Sequence, residues 1–226
     1  MPELLDSIEV TTGKNPSASV IWMHGLGADG NDFVPIVNEL DLAGTPPTRF
    51  VFPHAPKRPV TINNGFVMRA WYDVSFGDLE GNSRRVDERG VRESQAQIGA
   101  LIEREMKRGV NAAKIVLAGF SQGGAIALHT GLRYPEKLAG VMALSTYLPL
   151  ADSLPQEAAA ANKATPIFMA HGTFDPVVPL MMGAGSMTSM AGLGYGIEWK
   201  QYPMQHSVCP EEMEDIGAWL RKVLKA

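Results

Sequence analysis

The chain has 226 residues, of which 45% are hydrophobic and 19% are charged, as is ordinary for a soluble globular protein. Its 20 basic and 24 acidic residues give a net charge of −4, and the absence of a basic surplus argues against nucleic acid or anionic lipid as a partner. Cys209 is the single cysteine, so no internal disulfide forms and nothing requires an oxidising compartment.

The beginning of the chain and the length of its apolar runs predict a soluble, cytoplasmic protein. The segment MPELLDSIEV lacks the apolar core of a signal peptide, and no apolar run approaches the roughly 18 residues that a membrane span needs. No repeat and no break in composition divides the chain, so we expect one α/β domain over residues 1–226.

Five short apolar runs recur along the chain, each bounded by glycine, proline or polar residues. Short runs without alternation are typical of strands that are buried on both faces of a parallel sheet. The runs are SVIWM (19–23), RFVF (49–52), KIVLAGF (114–120), AGVMALS (139–145) and PIFMAHG (166–172).

Helical periodicity lies between these runs. Apolar side chains fall on one face of residues 90–108 and of residues 210–225, and residues 122–133 predict a shorter helix rich in small residues. Strands that alternate with helices imply right-handed βαβ units, and therefore an α/β fold whose mostly parallel sheet carries helices on both faces. The mixed charges of residues 78–93 predict a solvated loop, and no insertion is large enough to form a lid domain.

A serine between two glycines stands where the run KIVLAGF ends and a helical pattern begins. The pentapeptide Gly119-Phe120-Ser121-Gln122-Gly123 fits the G-x-S-x-G pattern of a nucleophile elbow. In such an elbow a sharp turn strains the serine backbone and projects its hydroxyl above the sheet edge, at a helix N-terminus that favours negative charge. Glycine is required on both sides because a Cβ there would collide with the neighbouring helix or strand. The same pattern also suits a serine that caps a helix, so a catalytic role requires partners.

A serine hydroxyl needs a base to remove its proton, and in elbow-type folds the chain order is serine, acid, histidine. Of the histidines after Ser121, His129 lies about two turns farther along the same helix, and His171 precedes the best candidate acid. His206 follows the strand-like segment at 197–204, in a loop at the carboxyl end of a strand, where open α/β sheets bind their ligands. His206 is therefore the predicted base, and His171 is expected to form hydrogen bonds within its own loop.

Asp175 is the predicted acid. It lies in HGTFDPVVP (171–179), directly after a buried strand, in a loop that two prolines stiffen. A rigid loop suits a carboxylate that must orient a histidine. Asp152, in a polar loop, and Asp215, among the charges of the last helix, fit this role less well.

Fixed N–H donors must meet the negative oxygen that forms when a carbonyl is attacked. One donor is expected from Gln122, and a second from the early loop WMHGLGADGNDF (22–33). Gly25 and Gly27 let the backbone fold close to a ligand, so that the N–H of Leu26 points inward. Both residues would donate through their backbones, and their side chains are expected to matter little.

Neither a metal nor a cofactor is expected. The five histidines have no spacing typical of a metal site, and the chain has no Cys-x-x-Cys pair. The glycine-rich loop HGLGADG lacks the sequence patterns of phosphate-binding loops, and this argues against a nucleotide-binding site.

Four motifs together, HGLGADG, GFSQGG, HGTFDPVVP and the final His-Ser pair, resemble the phospholipase/carboxylesterase family of small lidless α/β-hydrolases, which includes acyl-protein thioesterases. The resemblance runs in order over about residues 15–222. It implies hydrolysis of carboxylic esters or thioesters through an acyl-serine intermediate, without a cofactor. It implies Ser121, Asp175 and His206 as a catalytic triad, and Leu26 and Gln122 as oxyanion donors.

Two positions bear on the substrate. The segment WYDVSF (71–76) resembles the family's segment beside the acyl site, which makes Trp71 a candidate wall of that site. Gln205 departs from the family, which often has glycine before the catalytic histidine, and its side chain could narrow the pocket mouth or bind substrate. The methionine-rich residues 180–192 are expected to form an adaptable core helix rather than an acyl pocket.

Three functions remain open. The favoured one is a serine esterase that acts on small to medium acyl esters. The second is a thioesterase or lysophospholipase that acts on long acyl chains, with acylated proteins or lysophospholipids as substrates. The third is a catalytically silent binding protein on a hydrolase scaffold, which the filled catalytic positions disfavour. A peptidase is disfavoured because no cap segment is visible, and a cysteine nucleophile is excluded by Ser121. We expect a monomer or a homodimer.

Overall fold

The computed structural model describes residues 4–75 and 86–225, and within them nine segments form strands. The strands are β1 (Ser7–Thr11), β2 (Ala18–Met23), β3 (Thr48–Pro53), β4 (Lys57–Val60), β5 (Phe66–Arg69), β6 (Ile115–Phe120), β7 (Gly140–Leu144), β8 (Ile167–Gly172) and β9 (Ile197–Tyr202). The five apolar runs correspond to β2, β3, β6, β7 and β8, and the strand-like segment at 197–204 corresponds to β9. These six predictions are confirmed.

Seven of these strands form one sheet in the order β1-β3-β2-β6-β7-β8-β9, and β4 and β5 pair as a separate hairpin. Only the edge strand β1 is antiparallel to its neighbour, so the sheet is mostly parallel, as predicted. From β2 the chain moves outward to β3 and later returns to the other side of β2 with β6. Such a change of direction opens a crevice at the carboxyl ends of the two strands, where open α/β sheets bind ligands.

Helices cover both faces of the sheet. The helices of the described residues are α1 (Ile36–Glu39), α2 (Glu88–Lys107), α3 (Gln122–Arg133), α4 (Leu154–Glu157), α5 (Leu180–Gly192) and α6 (Pro210–Leu224). Buried side chains of α2 and α3 pack on one face, and those of α1 and α6 pack on the other. Across residues 4–75 and 86–225, no helix combines the length and the apolar character that crossing a bilayer would demand.

Strand β2 shows why the central runs lack a polar face. Val20 and Trp22 point into the layer shared with α1 and α6, whereas Ile21 and Met23 point into the layer shared with α2 and α3. All four are at most 1% exposed. A strand between two helical layers must be apolar at consecutive positions, and this requirement removes the alternation seen in half-exposed strands.

The mixed-charge segment 78–93 is only partly described, since residues 78–85 lie outside the described ranges. From Glu88 onward the segment is helix α2 rather than the predicted loop. The Asp87 carboxylate caps this helix by accepting from Gly90 N–H at 2.9 Å. The charges form i,i+4 ion pairs on its exposed face, for example Arg89 with Glu93 at 2.8 Å. Pairs at this spacing stabilise a helix, so the mixed signs indicate a helix surface.

The methionine-rich segment 180–192 is the helix α5, but the prediction that it is a core helix is wrong. Only Gly183 and Met190 are buried, and the Met181 side chain is 84% exposed. The segment is apolar all round and carries no charge, which favours a core position on composition alone. Its place beside β8 and β9, at the edge of the sheet, leaves most of it at the surface.

Candidate active site

Ser121 occupies a strained turn between β6 and α3. Its φ of 54° and ψ of −122° lie in a region that residues other than glycine rarely adopt. Three hydrogen bonds hold this conformation. Ser121 N–H donates to Leu144 O at 2.8 Å, and Ser121 O accepts from Ala125 N–H at 3.1 Å and from the Thr146 hydroxyl at 2.7 Å. The Ser121 side chain makes no capping hydrogen bond to α3, so it is not simply a helix cap.

The two glycines that flank the serine are required by packing, as predicted. A Cβ on Gly119 would lie 2.3 Å from the backbone of Gly123, in the first turn of α3. A Cβ on Gly123 would lie 2.3 Å from the carbonyl oxygen of Met23, at the end of β2. Strand, turn and helix therefore approach one another at distances that only glycine permits.

His206 and Asp175 complete a hydrogen-bonded chain with Ser121. The Nε2 atom of His206 lies 2.9 Å from Ser121 Oγ, and its Nδ1 atom lies 2.7 Å from Asp175 Oδ2. A carboxylate only accepts, so Nδ1 carries the hydrogen and Nε2 is free to accept the serine proton. The Phe120 ring packs on the imidazole, with 4.7 Å between the ring centroids. The structure thus brings the three residues predicted for the triad within hydrogen-bond distance.

The loop after β8 presents the Asp175 carboxylate. Oδ1 accepts from the backbone N–H groups of Val177 and Val178 at 2.8 and 2.9 Å, which leaves Oδ2 for His206. The side chain is fully buried, so this carboxylate depends on those hydrogen bonds for stabilisation. The alternative acid Asp215 instead accepts from the Tyr202 hydroxyl at 2.7 Å.

Backbone hydrogen bonds tie the Asp175 loop to the His206 loop. Thr173 N–H donates to Tyr202 O at 2.8 Å, and Phe174 N–H donates to Met204 O at 3.1 Å. A Cβ on Gly172 would lie 2.3 Å from the carbonyl oxygen of Gln205, so the two loops are also in close contact. The separation between the acid and the base is therefore set by the pairing of β8 with β9.

Leu26 and Gln122 both line the cavity beside Ser121, as the oxyanion prediction requires. Gln122 is the first residue of α3, where N–H groups have no acceptor within the helix. Gly25 lies close to the elbow, since a Cβ there would be 3.5 Å from the Ser121 side chain. Gly27, with φ of 79°, turns the loop back toward the β4–β5 hairpin through its N–H bond to Arg69 O at 2.9 Å.

The Gln122 side chain has a structural role that the sequence does not indicate. It is buried, its Oε1 accepts from Trp71 N–H at 2.8 Å, and its Nε2 donates to Tyr72 O at 2.7 Å. It therefore ties the elbow to the loop at 70–74. The expectation that this side chain matters little for catalysis stays a prediction, but the side chain has a structural role, because its removal would take away the hydrogen bonds to Trp71 N–H and Tyr72 O.

Trp71 and Gln205, both predicted to contact the substrate, lie outside the described wall of the cavity beside Ser121. Trp71 is fully buried, and its indole N–H donates to His24 O at 2.9 Å. Gln205 is exposed beside His206. Neither is among the described residues that line the cavity, whereas Tyr72, next to Trp71, is. The substrate contacts predicted for Trp71 and Gln205 stay predictions.

His24 braces the early loop. It is buried, its Nδ1 donates to Gly25 O at 2.7 Å, and its Nε2 accepts from Ala55 N–H at 3.1 Å. Burial lowers the pKa of His24 to about 4, so the imidazole is neutral at neutral pH. Because the ring is neutral and both of its nitrogens form hydrogen bonds, His24 positions the loop and is not available for proton transfer.

The cavity beside Ser121 has a volume of about 180 Å³ and is mostly apolar. Its wall includes Tyr72 and Tyr147, whose hydroxyl groups lie 3.0 Å apart. Sequence reasoning missed Tyr147, although a residue three positions after the end of β7 is at the same sheet edge as Ser121. A larger groove of about 560 Å³ lies between α2 and α3 and contains none of the predicted site residues.

A mostly parallel sheet with a strained serine after a central strand defines an α/β-hydrolase. The chain belongs to the phospholipase/carboxylesterase family, whose model matches residues 6–224, and the resemblance seen in its motifs is thereby confirmed. The protein is accordingly an ester-cleaving enzyme.

Similar proteins span nearly the whole chain. It is 38% identical to acyl-protein thioesterase 1 of Cryptococcus neoformans, over 100% of both chains, and 41% identical to acyl-protein thioesterase 1 of Neurospora crassa, over 92% of this chain and 87% of that one. Among solved structures, Arabidopsis thaliana SOBER1 aligns with a TM-score of 0.84 and 33% identity, over 92% of this chain and 99% of that one. Zea mays acyl-protein thioesterase 2 aligns with a TM-score of 0.83 and 28% identity, over 97% and 99%.

Proposed function

We propose that this ester-cleaving enzyme is a carboxylesterase for small to medium acyl chains, with Ser121, His206 and Asp175 as its catalytic triad. The observation that carries the proposal is the continuous hydrogen-bonded chain from Ser121 Oγ through His206 to Asp175, at 2.9 and 2.7 Å, beside a mostly apolar cavity. Spacing of this kind is what a nucleophile, its base and the group that orients the base require.

In the proposed acylation step, His206 Nε2 removes the proton as Ser121 Oγ attacks the substrate carbonyl. Asp175 keeps the imidazole in the correct tautomer and stabilises its positive charge. The backbone N–H groups of Leu26 and Gln122 would donate hydrogen bonds to the negative oxygen, assisted by the N-terminus of α3. His206 then returns its proton to the leaving alcohol or thiol, and the acyl group stays on Ser121.

In the proposed deacylation step, His206 removes a proton from water, which attacks the acyl-serine carbonyl. The same two N–H groups stabilise the second negative oxygen. The proton passes back to Ser121 Oγ, the carboxylic acid leaves, and the free enzyme is restored. The chemistry needs no group beyond the chain itself and water.

Fluorophosphonate labelling followed by peptide mapping tests the nucleophile. We expect the label on Ser121, and a loss of about 10⁶-fold in kcat in Ser121→Ala, as for other triads. Ser145 is a matched control, because it also follows a central strand, is fully buried and has a positive φ of 47°. Ser145→Ala should keep both label and turnover. An unlabelled wild-type protein would instead support a silent binding protein.

The cavity volume favours small to medium acyl chains over long ones. An apolar cavity of about 150 Å³ holds a ligand the size of benzene. The cavity beside Ser121, of about 180 Å³ and open to solvent, therefore encloses only a short acyl chain, and a palmitoyl chain would extend beyond it. We expect p-nitrophenyl butyrate to have a higher kcat/KM than the palmitate ester.

The second candidate is an acyl-protein thioesterase or lysophospholipase for long acyl chains. Its support is the name of the relatives, acyl-protein thioesterase 1. Matched oxygen esters and thioesters of butyrate, octanoate and palmitate separate the two candidates, since only the second predicts that kcat/KM rises up to palmitate. Its substrates would be acylated proteins or lysophospholipids.

A further inference from the structure

We infer that His171 is a positioning residue for Asp175: it anchors the loop that aims the carboxylate at His206. The inference rests on the proposed triad. In the sequence His171 is excluded as the base by its place before the acid, and it is expected only to form hydrogen bonds within its own loop. The structure places its Nε2 atom 3.6 Å from Asp175 Oδ2, the oxygen that His206 Nδ1 also contacts.

The inference rests on Val178, whose backbone contacts both His171 and Asp175. His171 Nε2 lies 2.8 Å from Val178 O, and since a carbonyl oxygen only accepts, Nε2 carries the hydrogen and donates. Val178 N–H in turn donates to Asp175 Oδ1 at 2.9 Å. The backbone of Val178 is thus held at both ends, by His171 on strand β8 and by the carboxylate itself. Through Val178, the strand fixes the orientation of the Asp175 side chain.

His171 is enclosed so that only this tautomer fits. Its side chain is fully buried, and its Nδ1 atom has no hydrogen-bond partner among the described residues. A Cβ on Gly183 would lie 2.5 Å from Nδ1, so α5 packs directly against the ring. A hydrogen on Nδ1 would face this helix without an acceptor, which disfavours both the other tautomer and the charged ring.

Burial also keeps the His171 ring neutral. Burial is the largest cause that lowers the pKa of His171, and the nearby His206 lowers it further, against the opposing effects of Val178 O and Asp175. The residues that pack on it from α5 and β9, Gly183 and Trp199, carry no charge. A neutral N–H donor orients the loop and adds no positive charge beside the carboxylate that faces His206.

A matched pair of amide variants tests which nitrogen matters. In His171→Gln the side-chain N–H reaches the place of Nε2, whereas in His171→Asn it stops near the place of Nδ1, where Gly183 offers no acceptor. We expect His171→Asn to lower kcat by about 10- to 100-fold, as for other partners that orient a functional side chain, with KM little changed. His171→Gln should restore most of this loss.

The pH profile separates positioning from a purely structural role. A carboxylate that rotates away from His206 stabilises the imidazolium less, so the acidic limb of kcat/KM in His171→Asn should move to lower pH. A structural role alone would reduce the folded fraction and leave the limb in place. His129→Asn is the control, since His129 is equally buried but bonds to Gln95 on α2. Equal kcat in folded His171→Asn and wild type, or no difference between Asn and Gln, would overturn the inference.

A measurement on the wild-type protein covers the case in which the variants do not fold. Imidazole NMR should show His171 as the neutral Nε2–H tautomer, with a slowly exchanging proton, throughout the pH range of activity. A charged ring or the Nδ1–H tautomer would contradict the inference. Fluorophosphonate labelling keeps the two proposals apart: a wild-type protein that does not label at Ser121 refutes the triad, whereas undiminished labelling in folded His171→Asn refutes only the role of His171.

Discussion

Gln122 combines a backbone role at the candidate oxyanion hole with a structural role for its side chain. The side chain is 5% exposed and bonds to Trp71 N–H and Tyr72 O. A buried polar group left without a partner costs about 1–3 kcal/mol. Gln122→Ala should therefore lower the free energy of unfolding by a few kcal/mol, measured by urea denaturation.

The activity of Gln122→Ala tests whether the donor is the backbone. If it is, kcat of the folded variant should fall by much less than the roughly 10²–10³-fold typical of a lost oxyanion donor. Gln122→Glu is the matched comparison, because a carboxylate can accept from Trp71 N–H but cannot donate to Tyr72 O. Unchanged stability in Gln122→Ala would contradict the bridging role.

The residues of the candidate triad could be predicted because each one follows a strand with a recognisable local pattern. Ser121 is marked by its glycines, Asp175 by its proline-rich loop and His206 by its place between the last strand and helix. The hydrogen bonds of the Gln122 side chain and the link from His171 through Val178 to Asp175 could not be predicted in this way. Their partners are backbone atoms whose positions depend on the approach of separate segments, and no local pattern encodes that approach.

At the scale of elements, the elbow depends on the contact between α3 and the end of β2. In Gly123→Ala the new Cβ would lie 2.3 Å from Met23 O, and a backbone atom of a central strand cannot move aside cheaply. Overpacking of this kind costs about 1–3 kcal/mol or more. We expect a lower melting temperature and slower fluorophosphonate labelling, because the displaced helix carries the Gln122 N–H with it.

Gly185 provides the matched control for this substitution. It lies within α5, and a Cβ there meets no atom of the described residues within 4 Å. Alanine is favoured over glycine in a helix interior by about 0.5–1 kcal/mol. Gly185→Ala should therefore hold or raise the melting temperature and leave labelling unchanged. A Gly123→Ala variant that behaves like Gly185→Ala would show that the elbow tolerates a side chain.

Elements were predicted best where the sheet imposes a pattern and worst where it does not. The buried strands are apolar at successive positions because two helical layers cover them. The hairpin of β4 and β5 has no such constraint, and β4 contains Pro59, which argues against a strand in a sequence pattern. In a two-stranded hairpin a missing N–H is tolerated, so tertiary context permits what the local pattern disfavours.

At the scale of the whole molecule, the sheet order converts distant segments into one site. Met23 and Gly119 are register partners on β2 and β6, which sets the Leu26 loop beside the Ser121 elbow. The pairing of β8 with β9 does the same for the loops of Asp175 and His206. Parallel strands bring their carboxyl ends to one edge, so the order serine, acid, histidine along the chain becomes a line of contacts across that edge.

The stability of the whole fold should depend on pH through Glu212. This residue lies in the first turn of α6, its side chain is fully buried, and neither carboxylate oxygen has a hydrogen-bond partner among the described residues. Burial raises the pKa of Glu212 from the ordinary value of 4.5 to about 8, and Asp215 adds to the rise while the backbone of Cys209 opposes it. The folded state therefore binds the Glu212 proton more tightly than the unfolded state does.

The tighter binding of the Glu212 proton in the folded state determines how stability changes with pH. Below pH 4.5 the carboxyl is protonated in both states, and its contribution to stability is complete. As the pH rises toward about 8 only the unfolded state loses the proton, so the free energy of unfolding falls, by up to about 1.4 kcal/mol per pH unit.

In Glu212→Gln this fall with pH should disappear. The buried amide changes the free energy of unfolding by the same amount at every pH, so it does not affect the slope. Urea denaturation of both proteins at several pH values measures the difference, in which all other titrating groups cancel. Parallel stability curves for the two proteins would mean that Glu212 titrates normally, and that water reaches the first turn of α6.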